Sequence, residues 1–178
     1  MAAVTASDDP LRRFVDAALE GDDVAVGELV RLTQPAVWQV CVALGSSGEV
    51  EDLVQETYLR ALGALPRYRA DAPVRVWLLA IARRVCADHV RRRQRRRRLF
   101  ERVSSHTTAL DVPAHEVVDD LLDVLDADRR EAFVLTQLVG LSYEEAAAVV
   151  GCPIGTIRSR VARARADLTT AVSRAAAR

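Results

Sequence analysis

From Leu141 to Arg165 the chain reads LSYEEAAAVVGCPIGTIRSRVARAR, and its punctuation leaves little choice of fold. Ser142 and Glu145 stand at the S-x-x-E spacing of a capping box. There the serine hydroxyl accepts from a backbone N–H three residues on, and the glutamate reaches back to the serine N–H. A helix is predicted to start at Tyr143. Gly151 can take the left-handed conformation that ends it, and Pro153 suits the start of the next helix. Ile154, Ile157, Val161, Ala164 and Leu168 then recur three or four residues apart, which gives one buried stripe. Ala146, Ala147 and Ala148 allow the two helices to approach closely. Arg158, Ser159, Ala162, Arg163 and Arg165 lie off the stripe. The expected unit is a helix-turn-helix whose second helix can enter a major groove. The bland alternative is an αα-hairpin with solvated arginines. Capping box, turn glycine, helix-starting proline and one-sided arginines occur together, and only DNA binding uses them all.

The rest of the chain shows the same helical period and no strand-like alternation, so the expected fold class is all-α. Ser7, Asp8, Asp9 and Pro10 are placed to cap a first helix that Gly21 stops. A second helix is expected from about Asp23 to Leu44, kinked at Pro35. Leu29, Val30, Thr33, Val37, Val40, Cys41 and Leu44 share one of its faces. Ser46 with Glu49 suits a capping box for a third helix, with Val50, Leu53, Val54, Thr57, Ala61 and Leu62 buried. A fourth begins near Pro73, buries Val74, Trp77, Leu78, Ile81 and Val85, and runs into RRRQRRRR, Arg91 to Arg98. Periodicity fades over residues 99–115, the best linker in the chain. Val117, Val118, Leu121, Leu122 and Leu125 then form one amphipathic helix, and Ala132, Leu135, Thr136 and Val139 another. The organisation is two small helical domains, 1–98 and 116–178, joined by a flexible linker at 99–115.

Charge follows the same division. The net charge is zero, yet by block it is −7 over residues 1–66, +10 over 67–102, −8 over 103–151 and +5 over 152–178. Alternating blocks of opposite sign fit two separate anionic contacts better than one diffuse contact. All 25 basic residues are arginine, a side chain whose planar fork matches phosphate and guanine, although genomic base composition explains the bias as well. Cys41, Cys86 and Cys152 are far apart, and His89, His106 and His115 lack ligand spacing. No metal site or disulfide framework is expected, and each cysteine reads as a small buried hydrophobe. No apolar run approaches a membrane span, and no leader is evident, so a cytosolic protein without a membrane contact is expected. No nucleophile elbow or phosphate-binding glycine loop appears, so neither an enzyme nor a small-molecule substrate or cofactor is expected.

Three stretches resemble one family. LSYEEAAAVVGCPIGTIRSRVARAR is similar to region four of the extracytoplasmic-function (ECF) sigma factors of the sigma-70 family, with GxxxGTxxSRxxRAR the most specific part. DLVQETYLRALGALPRYR, Asp52 to Arg69, resembles their region 2.2 and the loop after it. APVRVWLLAIARRVCADHVRRRQRR resembles regions 2.3 and 2.4. The order of the matches and the linker between them are also the family's.

The resemblance implies an alternative sigma factor that binds core RNA polymerase through its clamp helices and flap, recognises the −10 and −35 elements of promoter DNA, and promotes strand opening. It allows an anti-sigma factor as a further partner. It assigns clamp docking to Asp52, Leu53, Gln55 and Glu56. It assigns −10 DNA to the loop of Arg67, Tyr68, Arg69 and Asp71 and to Arg84 and Arg91 beyond it. Tyr68 suits a stacking surface for a flipped base and equally suits a core anchor, whereas Trp77 reads as core. Arg84 stands where the family commonly carries Asn, a departure that bears on −10 base preference. The −35 element falls to Thr156, Arg158, Ser159, Ala162 and Arg163, with Ala162 where some members carry a larger side chain. The runner-up is a response-regulator-type activator or repressor with a C-terminal helix-turn-helix. It leaves DLVQE and WLLAIARR unexplained and requires an α/β receiver that the pattern lacks.

Overall fold

The computed structural model describes residues 9–45, 48–103 and 121–176. Ser7, Asp8 and Ser46, expected in helix caps, and Val117 and Val118 lie outside them, as do residues 104–115 of the expected linker. Helices α1 (Arg12–Leu19), α2 (Asp23–Leu44), α3 (Val50–Ala64) and α4 (Val74–Val103) are followed by α5 (Ala127–Phe133), α6 (Tyr143–Val150) and α7 (Ile154–Ala176). Among the described residues there is no strand. The two helical domains are α1–α4 and α5–α7. The helix α4 continues to Val103, so the first five positions of the expected linker are helical.

The caps show why the helices begin where they do. Asp22 caps α2, its Oδ1 accepting from Val24 N at 2.8 Å and Ala25 N at 3.2 Å. Glu49 precedes α3 without a side-chain cap. Asp9 does more than start α1. Its Oδ1 accepts from Leu11 N at 3.0 Å and its Oδ2 from Val74 N at 2.5 Å. One carboxylate therefore ties the chain's start to the first turn of α4, satisfying an N–H that the helix itself cannot. The α2 helix is continuous through Pro35. Proline lacks the N–H that the Arg31 carbonyl would accept, but both residues lie on the exposed face, where water substitutes.

Helix α4 packs against α2 and α3 on one side and against α6 on another. Val74, Leu78 and Val85 of the expected stripe are buried and Trp77 and Ile81 are half-buried, but Val76, Leu79, Ala82 and Cys86 are buried too. A single helix is thus enclosed on two faces, and one continuous apolar cluster runs from Val37 and Leu53 through Leu79 to Leu135 and Ile157. The two domains share this cluster. Arg83 pairs with Glu131 across the junction, with side chains 27% and 14% exposed, and Arg75 Nη2 donates to the Val139 carbonyl at 2.7 Å. That carbonyl follows a turn of π-helix, Val134–Leu138, which continues α5. Such turns widen the helix and re-aim its groups.

Cys41 and Cys86 face each other within this core, 0% and 1% exposed. A hydrogen bond with Cys41 and burial push the Cys86 thiol upward, so it stays protonated and packs as a small apolar side chain. Among the described residues, no group of side chains could hold a metal ion, and no helix is long and apolar enough to cross a membrane.

Candidate nucleic-acid and protein interfaces

The helix-turn-helix forms as its sequence dictates. Glu145 N donates to Ser142 Oγ at 3.1 Å and Ser142 N to Glu145 Oε2 at 2.7 Å, so the capping box is complete. Gly151 adopts φ 78°, ψ 41°, and it and Cys152 both donate to the Ala147 carbonyl, at 2.8 and 3.1 Å. A side chain at position 151 would be strained by this left-handed backbone. Ile157, Val161 and Ala164 are buried in the core, with Ile154 and Leu168 half-buried at the ends of the stripe.

The outer face of α7 carries Arg158, Ser159, Ala162 and Arg163, all exposed, with Thr156 half-exposed at its start. The Ser159 hydroxyl donates to the Thr156 carbonyl at 2.9 Å. The four arginines of the stretch differ in setting. Arg160 pairs with Asp128, and Arg165 donates to Gln137 Oε1 at 2.6 Å. Arg158 and Arg163 project outward.

On α3, Asp52 and Gln55 are exposed and Glu56 is 44% exposed. Leu53, grouped with them by the motif, is only 4% exposed and packs inward, so it supports the face from beneath and presents nothing to a partner. The apolar group on the face is Leu59, 61% exposed. It lies one helical turn beyond Gln55 and Glu56 and two beyond Asp52. Gly63, a turn further on, opens onto unoccupied space. Of the two leucines, Leu59 is the exposed one. The helical period, applied to the exposed face rather than the buried one, picks out Leu59. Glu56 is held by Arg60 at 2.7 Å, and Arg60 also reaches Asp88 of α4 at 3.2 Å.

The loop after α3 is rigid by construction. The Tyr68 hydroxyl donates to the Ala72 carbonyl at 2.6 Å and closes a short loop in which Ala70 holds φ 57°. Positive φ is uncommon for alanine and marks a backbone fixed by its surroundings. The Tyr68 ring rests against Trp77, centroids 5.0 Å apart at 48°. Burial raises the pKa of its phenol. Tyr68 is half-buried against the core, with its hydroxyl already engaged. What the loop offers to solvent is Arg67, Arg69 and Asp71, the last two 3.4 Å apart and highly exposed.

Arg84 and Arg91 are exposed seven residues apart on α4, about 10 Å along one side of the helix. Asp88 lies between them and accepts from Arg91 Nη2 at 2.6 Å. From Arg91 every residue to Arg98 is exposed. Arg75 and Arg83 of the same basic block face the second domain. The structure thus gathers Asp52, Gln55, Glu56 and Leu59 on one face and Arg158, Ser159, Ala162 and Arg163 on another. The packing of the two domains leaves both faces open.

Comparison with known proteins agrees with this geometry. Residues 29–96 match sigma-70 region 2 and residues 115–168 match sigma-70 region 4. The chain is 45% identical over 172 residues to the ECF RNA polymerase sigma factor SigC of Mycobacterium tuberculosis, covering 93% of this chain and 92% of that one. Its fold is similar to that of CnrH in complex with the cytosolic domain of CnrY, with a TM-score of 0.73, 32% identity, and coverage of 93% and 98%. It is similar also to the sigma factor RpoE in complex with the anti-sigma factor NepR from Bartonella quintana, with a TM-score of 0.70, 32% identity, and coverage of 83% and 96%.

Proposed function

The chain belongs to the sigma-70 family, in its extracytoplasmic-function branch, and from that membership we propose the surfaces through which it works as an alternative sigma factor. The face of Asp52, Gln55, Glu56 and Leu59 docks on the clamp helices of core RNA polymerase. Its carboxylates suit a basic partner, and Leu59 supplies an apolar centre of the kind that anchors protein interfaces. Arg67, Arg69 and Asp71, with Arg84 and Arg91, meet the −10 element as it opens. Arg158, Ser159, Ala162 and Arg163, with Thr156 at the helix start, meet the −35 element. The domain boundaries are 1–98 and 116–178. Core polymerase and promoter DNA are the partners. An anti-sigma factor is a further one, supported by the structural likeness to the sigma factor RpoE in complex with the anti-sigma factor NepR. As a transcription initiation factor, the chain acts in the cytoplasm and catalyses no reaction of its own.

The observation that carries this reading is the outward placement of Arg158, Ser159 and Arg163 on a helix whose opposite face is buried, set behind a helix with a complete capping box. These side chains reach a groove without opening the core. A repressor reading would need a separate sensor domain, whereas the DLVQE helix lies here with its polar side chains outward. Run-off transcription with purified core enzyme on genomic fragments tests the whole assignment. The protein confers promoter-specific initiation, and the free chain has little affinity for duplex. Tight binding of free protein to promoter duplex, without effect on core enzyme, would establish the repressor instead.

Two substitutions separate the roles of the outward arginines. Arg163→Ala weakens −35 recognition by ~1–3 kcal/mol and relaxes preference at one base pair, as loss of a bidentate guanine contact does. Arg158→Ala weakens binding alike on all sequences and flattens the salt dependence by about one unit of slope, as loss of a phosphate contact does. Holoenzyme binding measured at two salt concentrations checks both. If both variants bind like the parent, the recognition face is elsewhere.

A further inference from the structure

The recognition helix carries more arginine than it offers to DNA. Arg160 is 23% exposed and its Nη2 donates to Asp128 Oδ2 on α5. Arg129, also on α5, meets Asp126 at 2.9 Å and reaches across to Asp167 of α7 at 2.6 Å. With Arg163, these groups border a shallow pocket of about 380 Å³ lined by Asp126, Ala127, Asp128, Arg129, Arg160 and Arg163. Three arginines and two aspartates line it. A helix strongly cationic in sequence is locally balanced by aspartates on the side turned toward α5.

That balance has a consequence for DNA binding. Each guanidinium that reaches a phosphate releases about one counterion and adds affinity without regard to sequence. A carboxylate placed against the guanidinium cancels that attraction and itself repels phosphate. The Asp128 side chain is 66% exposed, and pairs so open to water contribute little to folding. The arrangement therefore matters more for what Arg160 is kept from than for what it holds together.

We propose that Asp128 sets the DNA selectivity of the recognition helix by holding Arg160 away from the phosphate backbone. Attraction to duplex then rests on Arg158 and Arg163, and base edges carry a larger share of the binding. This rests on the assignment of α7 to DNA made above. Asp128 acts through Arg160 and is a positioning residue.

The test uses the full chain, at the micromolar concentrations where weak non-specific binding is measurable, and a mixed-sequence duplex of about 30 base pairs, with fluorescence anisotropy from about 50 to 200 mM salt. Asp128→Asn keeps the side-chain size and one acceptor oxygen. It binds this duplex about 3–10-fold more tightly at low salt, and its log–log salt slope steepens by about one unit. Arg160→Ala alone binds like the parent. The double variant Asp128→Asn, Arg160→Ala loses the whole gain, a result that a merely structural ion pair would not give. Parental affinity and slope in a folded Asp128→Asn protein would overturn the proposal. So would a gain that survives in the double variant, because the carboxylate's own repulsion would then explain it. Arg158→Ala and Arg163→Ala on the same duplex separate the two levels. If they weaken binding while Asp128→Asn is silent, only the role of Asp128 fails. If they too are silent, the placement of α7 on DNA fails and this proposal with it.

Discussion

An Ile157→Asp protein loses its folded helix-turn-helix. Ile157 is 0% exposed and lies at the middle of the buried stripe of α7, in the same cluster as Leu135, Val149 and Val161. Removing a buried isoleucine side chain costs about 2–5 kcal/mol. The carboxylate that replaces it has no cationic partner on that face, so it must be desolvated or protonated, at a further cost of several kcal/mol. The sum of about 5 kcal/mol or more matches the whole stability of many domains. A thermal melt followed by far-UV circular dichroism shows an early loss of helix, and −35 recognition disappears with it. Ile157→Val, which deletes one methylene, costs only about 0.5–1.5 kcal/mol and keeps DNA binding. If the aspartate variant melted within about 1 kcal/mol of the parent, α7 would not be packed as described.

Asp52→Arg combined with Glu56→Arg abolishes competition for core polymerase while leaving the fold intact. The two carboxylates become two guanidinium groups on the same face, so a basic partner surface meets repulsion in place of attraction. Reversing two contact charges costs about 3 kcal/mol or more, which is at least a hundredfold in affinity. The price inside the protein is small. Asp52 stands in the first turn of α3, where an acidic side chain contributes about 0.3–1 kcal/mol to the helix dipole interaction. Glu56 gives up its exposed pair with Arg60, worth about 0.3–0.5 kcal/mol. Helical content is therefore unchanged while binding is lost. Asp52→Arg alone leaves the Arg60 pair in place and shows a partial loss. Competition against a labelled sigma factor for core enzyme reads the difference. A double variant that competes normally would remove the α3 face from the docking surface.

The elements that sequence predicted well are those governed by neighbours in the chain. The capping box, the left-handed Gly151 and the stripe of Ile157, Val161 and Ala164 are set within one or two helical turns, so period and punctuation suffice. The buried face of α2 belongs to the same class. What escaped depends on contacts between distant segments. Val76, Leu79 and Ala82 were not placed in the core, because two separate domains leave that side of α4 exposed. Packing of α6 against α4 reverses this, and it converts Arg75 and Arg83 from solvated charges into groups bound by Val139 and Glu131. The pairing of Arg160 with Asp128 spans 32 residues, and no local rule links the two. The π turn at Val134–Leu138 has no composition of its own. Leu53 and Leu59 show what a motif leaves open. A motif names residues that occur together, whereas burial decides which of them a partner can touch.

Helix α4 has an unusual profile along its 30 residues. Its first half is enclosed on two faces, and from Arg91 to Arg98 it is exposed all round, with like charges a turn apart that weaken it. Amide hydrogens in the enclosed half, from Leu78 to Cys86, exchange with solvent only when both domains come apart. Their protection therefore measures the stability of the whole cluster. Amides between Arg91 and Arg98 exchange by local fraying, at little cost. One uninterrupted helix thus holds the slowest and among the fastest exchanging amides of the chain, and the step between the two classes marks where the shared core ends.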